Sequence, residues 1–307
     1  MNDSQKLWFR PPELSTVGVV TVRLLFAFLV WYTVPAATAL KEQPHPVGLA
    51  RVFDLTFLAN PGVLPGIKWV LIPVLMLYVT GRLPLLATGL TLLATVLPGT
   101  LDNSQGATQH SQQVISLILL AQFLYHLYCA LCPDPERTLL ERGRWSVFMG
   151  QQAIVAAYTV TALTKLFRSG FGWVVDSANF PIQMVKNIQM QYYNTLEPET
   201  VTGFWATTSA KVQEVFLASP NLCRALLTSG LLLELLAVLA LLGRRWAAAY
   251  GLLLIVFHLL VRTMTGLNFR FHIAALFIFL IYPLVAHWLA AARAHLSATQ
   301  RGQTAEA

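Results

Sequence analysis

One lysine stands where a lysine is expensive. Lys165 sits in the last turn of an apolar run long enough to cross a bilayer, and the run then breaks at Ser169-Gly170 and lands on Trp173. A cation kept near the end of a span either snorkels to the headgroups or works. Gln151, Tyr158 and Lys165 recur every seven positions, with Thr161 beside them. That spacing puts them on one helix stripe, and a polar stripe on a spanning helix turns to the bundle interior. A lysine buried there as the neutral amine can take a proton. Snorkelling is the other role open to it.

Further groups suit proton or anion chemistry. His110 opens an apolar run, with Gln113 one turn along. Histidine exchanges protons near neutral pH, although a wet helix start also accounts for it. Glu234 lies deep in a leucine run and Arg23 lies in the first apolar run. A carboxylate in that position must be protonated, paired or wet, so an Arg23–Glu234 buried polar pair is one expectation. His258 and Arg262 are four residues apart, on one helix face. With Arg270 and His272 they would make a cationic pocket suited to a carboxylate, bicarbonate or lipid phosphate, or a contact with headgroups. Cys129 and Cys132 have redox-pair spacing, but cysteine is also an ordinary apolar filler. No cluster has metal-ligand spacing, so no metal is expected.

The elements that must carry these groups are read from hydropathy. Hydrophobic residues make up 56% of the 307-residue chain and charged residues 11%. Mean hydropathy is +0.59. Soluble domains carry about 25% charged residues, so the fold class is all-α, a polytopic helical membrane protein. Eight transmembrane helices are expected, near 17–40, 67–80, 85–97, 110–132, 147–167, 222–242, 246–265 and 271–289. A polar lead of residues 1–16 precedes the single membrane domain of 17–290, and a polar, frayed tail of 291–307 follows. Residues 168–220 are too polar to span and too aromatic for disorder, which reads as loop and interfacial helix on the bilayer surface. No cleavable signal peptide is read at the N-terminus.

The net charge of +7 reads as loop charge that orients helices and meets anionic lipid, with no nucleic-acid partner. Eight spans put both termini on one side. The compact loops of that side hold Arg82, Arg137, Arg142, Arg144, Arg244 and Arg245, which favours cytoplasmic termini in a bacterial plasma membrane. His110, Lys165, His258, Arg262, Arg270 and His272 then converge on the outer leaflet, beneath residues 168–220.

These residues also form a pattern. The chain resembles the horizontally transferred transmembrane (HTTM) domain family, related to the membrane domain of vitamin K-dependent gamma-carboxylases. The resemblance spans most of residues 17–290. It rests on Arg23 in the first span, His110-Ser111 opening a middle span, and the helix end carrying Tyr158 and Lys165 before Gly170 and Trp173. The Leu217–Pro220 stretch, the Glu234 span, the Arg244-Arg245 turn and the span leading to His258 continue it. The resemblance implies reduced vitamin K or another quinol as cofactor. It implies Lys165 as the base that deprotonates the quinol and His110 as a supporting catalytic residue. Tyr158, Trp173, His258, Arg262, Arg270 and His272 become substrate- or anion-binding residues. Ala162 stands where the carboxylases carry glycine, and the chain ends soon after the eighth span, so peptide carboxylation would need another way to hold its substrate.

Three functions follow as expectations. The first is a membrane-embedded acid-base enzyme acting on a lipid-soluble or membrane-delivered substrate at the outer leaflet, with quinol-dependent carboxylation as its sharpest form. The second is a transporter or lipid-binding protein working through Arg23, Glu234 and His258. The third is an accessory protein that matures or neutralises a secreted peptide. The expected partners are membrane lipids and a small lipophilic molecule or membrane-delivered peptide.

Overall fold

The computed structural model describes residues 10–35, 43–106 and 110–305, and the side chains of 110, 111, 191, 194, 195, 205 and 295 onward lie outside that description. Among the described residues the chain is helical throughout, and eight stretches are long and apolar enough to cross a membrane. The fold is all-α, and the helices are those of an integral membrane protein.

The spans are α1 (Thr16–Thr33), α2 (Val63–Thr80), α3 (Pro84–Asn103), α4 (His110–Leu131) and α5 (Leu139–Ser169). Four helices then form a cap: α6 (Gly172–Val175), α7 (Asn179–Thr195), α8 (Glu199–Thr202) and α9 (Phe204–Ala218). The sixth span is α10 (Pro220–Leu235), tightened into a 3-10 turn over Leu236–Leu242, and α11 (Arg244–Thr265) is the seventh. The eighth joins α12 (Arg270–Leu276), a wide π turn over Phe277–Ile281 and α13 (Tyr282–Ala305). The expected surface segment is therefore a four-helix cap, and the tail expected to fray continues α13 as helix through Ala305.

Local chemistry sets the boundaries. At the start of α5, the Thr138 hydroxyl accepts from the Glu141 N–H (3.2 Å) while the Glu141 carboxylate accepts from the Thr138 N–H (2.9 Å). This reciprocal cap lets the helix begin eight residues before the apolar run. Its far end is stopped by Gly170, whose φ of +56° favours glycine. Buried threonines on α3 return their hydroxyls to their own helix, as Thr91 does to the Ala87 carbonyl at 2.6 Å. They therefore sit in an apolar bundle without orphaned donors.

The core is built where helices come closest. Phe279 is fully buried, meets Phe26 edge to face at 5.0 Å, and lies in the space a Cβ at Gly150 would need. The bundle has two distinct ends. At one, Arg244 donates to His287 Nδ1 (2.9 Å) and pairs with Glu13 (3.4 Å), and Arg144 donates to the Leu14 carbonyl (2.7 Å). These contacts gather the N-terminal lead, the starts of α5 and α11, and α13. At the other end the cap closes over α5, α10 and α11. A small cluster of Met184, Phe216, Cys223 and Met264 joins it to the spans.

Candidate active site: a polar cavity under the cap

The stripe on α5 is the spine of the site. Gln151 donates to the Phe279 carbonyl at 2.7 Å. The π turn there shifts the regular helical ladder, and the glutamine supplies a donor to the displaced backbone. Seven residues on, the Tyr158 hydroxyl is hydrogen-bonded to His258 Nε2 on α11. Seven further, the Lys165 ammonium meets the Glu234 carboxylate of α10 at 2.5 Å. The lysine side chain is 21% exposed and the glutamate 7%, so the pair is largely removed from water.

The break after α5 completes the arrangement. Ser169 donates its hydroxyl to the Lys165 carbonyl (2.6 Å) and accepts the Trp173 N–H (3.2 Å). This stitch folds the chain back so that the Trp173 ring lies 4.9 Å from the Lys165 nitrogen. The lysine is thus held by a carboxylate on one helix and an aromatic face above.

Both pairs open onto one cavity of about 1150 Å³. Gln113 and Leu117 of α4 line one wall, Leu227 and Leu231 of α10 another, and Trp173, Asn179, Gln183 and Asn187 the roof. His258 is buried, stacks on Phe269 at 4.5 Å and lies 5.4 Å from the His272 ring. Its second nitrogen, Nδ1, is buried and meets no hydrogen-bond partner among the described residues. The walls are mainly apolar, with a few convergent polar groups, as in sites for small molecules.

Several expectations change here. Glu234 does not pair with Arg23. The Arg23 guanidinium lies beside Gly81 and Gly143, at the opposite end of the bundle, and Lys165 is 22 residues from Gly143 on the same helix. At 1.5 Å per residue that is about 33 Å. The cationic pocket does not assemble either. His258 and His272 line the cavity, but Arg262 and Arg270 are exposed and outside its lining. Arg270 lies instead over Tyr32 (5.2 Å) and Phe271 (4.9 Å). Arg262 falls in the last turn of α11, on its exposed face, while Val261, Met264 and Thr265 of the same turn line the cavity. Glu234 adds a negative charge in their place.

Lys165, Tyr158, Trp173, His258 and His272 do share the cavity. His110 opens α4 one turn before the lining residue Gln113, and its side chain lies outside the described residues. Asn179, Gln183 and Asn187 were missed by sequence reasoning. Their four-residue spacing on a polar stripe was the available signal. Cys129 and Cys132 are free thiols near the far end of α4, remote from the cavity. No group of three metal-ligating side chains occurs among the described residues.

Fold and site together define a polytopic membrane protein with a largely apolar cavity, lined by two buried polar pairs, beneath a helical cap. Compared with known proteins, the chain matches no family model, no curated protein and no solved structure.

Proposed function

We propose that this cavity is a membrane-embedded acid-base site that moves a proton on a lipid-soluble or membrane-delivered substrate. The observation that carries the reading is the presence of two proton-sharing pairs, Tyr158–His258 and Lys165–Glu234, in one largely apolar cavity. His258 is the proton carrier. With its Nε2–H donating to the Tyr158 oxygen, Nδ1 is a free base. A proton taken there from a substrate makes the ring an imidazolium, and the same Nδ1–H is then the acid that returns it. Lys165 is the electrostatic partner: its ammonium, held by Glu234 and Trp173, stabilises the anion left when a neutral substrate loses its proton. Such stabilisation is strong where water is scarce.

This reading moves the base from Lys165 to His258 and gives the lysine a stabilising role. A lysine bonded to a carboxylate at 2.5 Å is not poised as a free amine. The resemblance to the HTTM and carboxylase membrane domains extends the proposal to a quinol. The cavity's size and apolar walls fit an aromatic quinol, with Leu117, Leu227 and Leu231 against the ring and the two pairs at its hydroxyls. A bound quinol would supply, through reaction with oxygen, a base stronger than any side chain. The arginines of the opposite end favour placing that end in the cytoplasm, which puts the cavity at the outer leaflet. The transport reading rests on Arg23 together with Glu234 and His258, and Arg23 lies about a span away, outside the cavity lining.

The test is mass spectrometry of small molecules retained in mild detergent, on the wild type, Glu234→Gln and the exchanged protein Lys165→Glu/Glu234→Lys. Exchange keeps an ion pair for the fold but moves the cation. A weakly acidic lipophile held by the wild type and lost from the exchanged protein supports the proposal. Lipid or peptide held equally by all three overturns it, and the absence of quinone from every sample removes the carboxylase extension.

A further inference from the structure

The roof of the cavity, α7, leaves large apolar side chains uncovered. Its buried face carries Pro181 and Met184, the latter in the cluster that joins cap to spans. On one side of that face Asn179, Gln183 and Asn187 line the cavity. On the other, Ile182, Val185 and Tyr193, with Leu196 at the helix end, are turned out and are 59%, 37%, 70% and 69% exposed. The cavity-lining and outward sets lie roughly 115° apart around a helix of 3.6 residues per turn. A helix covering a soluble domain keeps such large apolar side chains off its outer face.

The level of α7 in the molecule identifies what covers the outer stripe. Met184 packs with Met264, the penultimate residue of α11, and with Cys223, in the first turn of α10. The helix therefore lies level with the ends of two spans. The chain leaves a third span, α5, between Phe167 and Phe171, which are 84% and 78% exposed. The apolar stripe thus continues the lipid-facing surface of the bundle. Exposed Lys186 and Gln189 lie on the same outer face, and α7 carries no acid; a lysine there snorkels to anionic headgroups while the apolar side chains around it enter the leaflet.

We propose that α7 is seated in the membrane, with its Ile182–Val185–Tyr193–Leu196 stripe in the leaflet and its polar stripe roofing the cavity. It is a wall shared by lipid and cavity, so a lipophile reaches the polar pairs from the leaflet without crossing water. The placement rests on the fold alone and is independent of the chemistry proposed for Lys165 and His258.

Nitroxide labels test it. In a protein with Cys129, Cys132 and Cys223 replaced, single cysteines at 182, 183 and 193 are labelled and reconstituted into phosphatidylcholine–phosphatidylglycerol vesicles. Collisions with oxygen and with a water-soluble nickel chelate are then compared. Labels at 182 and 193 are expected to favour oxygen and to report a depth of about 5–10 Å below the headgroups, while the label at 183, on the polar stripe, stays open to nickel. Equal nickel access at all three positions overturns the proposal. Dipolar broadening between labels at 193 also overturns it and assigns the stripe to a second copy of the chain. A photo-crosslinking residue at 182 or 193 in the protein with its native cysteines gives an independent readout. Adducts with lipid support the placement, and adducts with protein overturn it.

Discussion

Lys165 and Glu234 hold each other in a place neither occupies cheaply alone. Lys165→Ala is expected to lower stability by about 3 kcal/mol, because it leaves a buried carboxylate unpaired. The exchanged pair should recover most of that loss in thermal unfolding in detergent while leaving ligand retention abolished. Recovery of both would reduce the pair to structural glue. Tyr158→Phe removes the partner of His258 Nε2 and is expected to cost about 1–2 kcal/mol in the same assay. Far from the cavity, Asp54 accepts from the Thr56 hydroxyl (2.6 Å), the Thr56 N–H (2.9 Å) and the Gln43 amide (2.8 Å). The Thr56 side-chain bond, then the backbone bond, holds this carboxyl below its ordinary range. A group depressed by folding stabilises above its unfolded value and loses that contribution as pH falls through the folded one. The protection of the Thr56 amide, its exchange rate relative to a free peptide at the same pH, should therefore fall in acid, and Asp54→Asn should remove the dependence. Sequence periodicity was enough to group Tyr158 with Lys165, since both lie on one helix. It gave Glu234 the wrong partner, because the choice between Arg23 and Lys165 depends on how separate spans pack, and no local spacing records that.

At the scale of elements, the eight spans were legible because each is a long apolar run bounded by turn chemistry, such as the Gly81 cap before Pro84. The interruptions within spans were not. The 3-10 turn after Glu234 and the π turn at Phe277–Ile281 lie in uniformly apolar sequence, and the π turn falls where packing between helices brings Phe279 to Phe26 past Gly150. Gly150→Ala would place a methyl in the space of a fully buried ring, so thermal unfolding should show a loss of about 1–3 kcal/mol. Gln151→Leu tests the other half of that junction. It strips the donor from the Phe279 carbonyl, and an unpaired carbonyl in apolar surroundings is expected to destabilise by about 1–3 kcal/mol. The cap shows the same limit. Composition placed residues 168–220 at the surface, but which face of α7 turns inward follows from Met184 docking on Met264.

For the whole molecule, polarity of insertion is the testable property. Single cysteines at 82 and at 199 in the cysteine-replaced protein, both exposed positions, treated in intact cells with a membrane-impermeant maleimide, should differ: 199 reacts and 82 does not. The reverse pattern would place the cavity in the cytoplasm. Hydropathy made the bundle legible, and loop arginines gave its expected orientation, but the cavity itself depends on seven helices meeting and has no linear signature. Its two pairs have one more consequence. Lys165 and Glu234 carry opposite charges that sum to nothing, and Tyr158 and His258 can exchange a hydrogen without creating a lone charge. A chamber of that kind is electrically silent to a distant observer. Uncharged guests should enter it with an affinity that stays flat from low to high ionic strength and does not change when a voltage is set across the membrane.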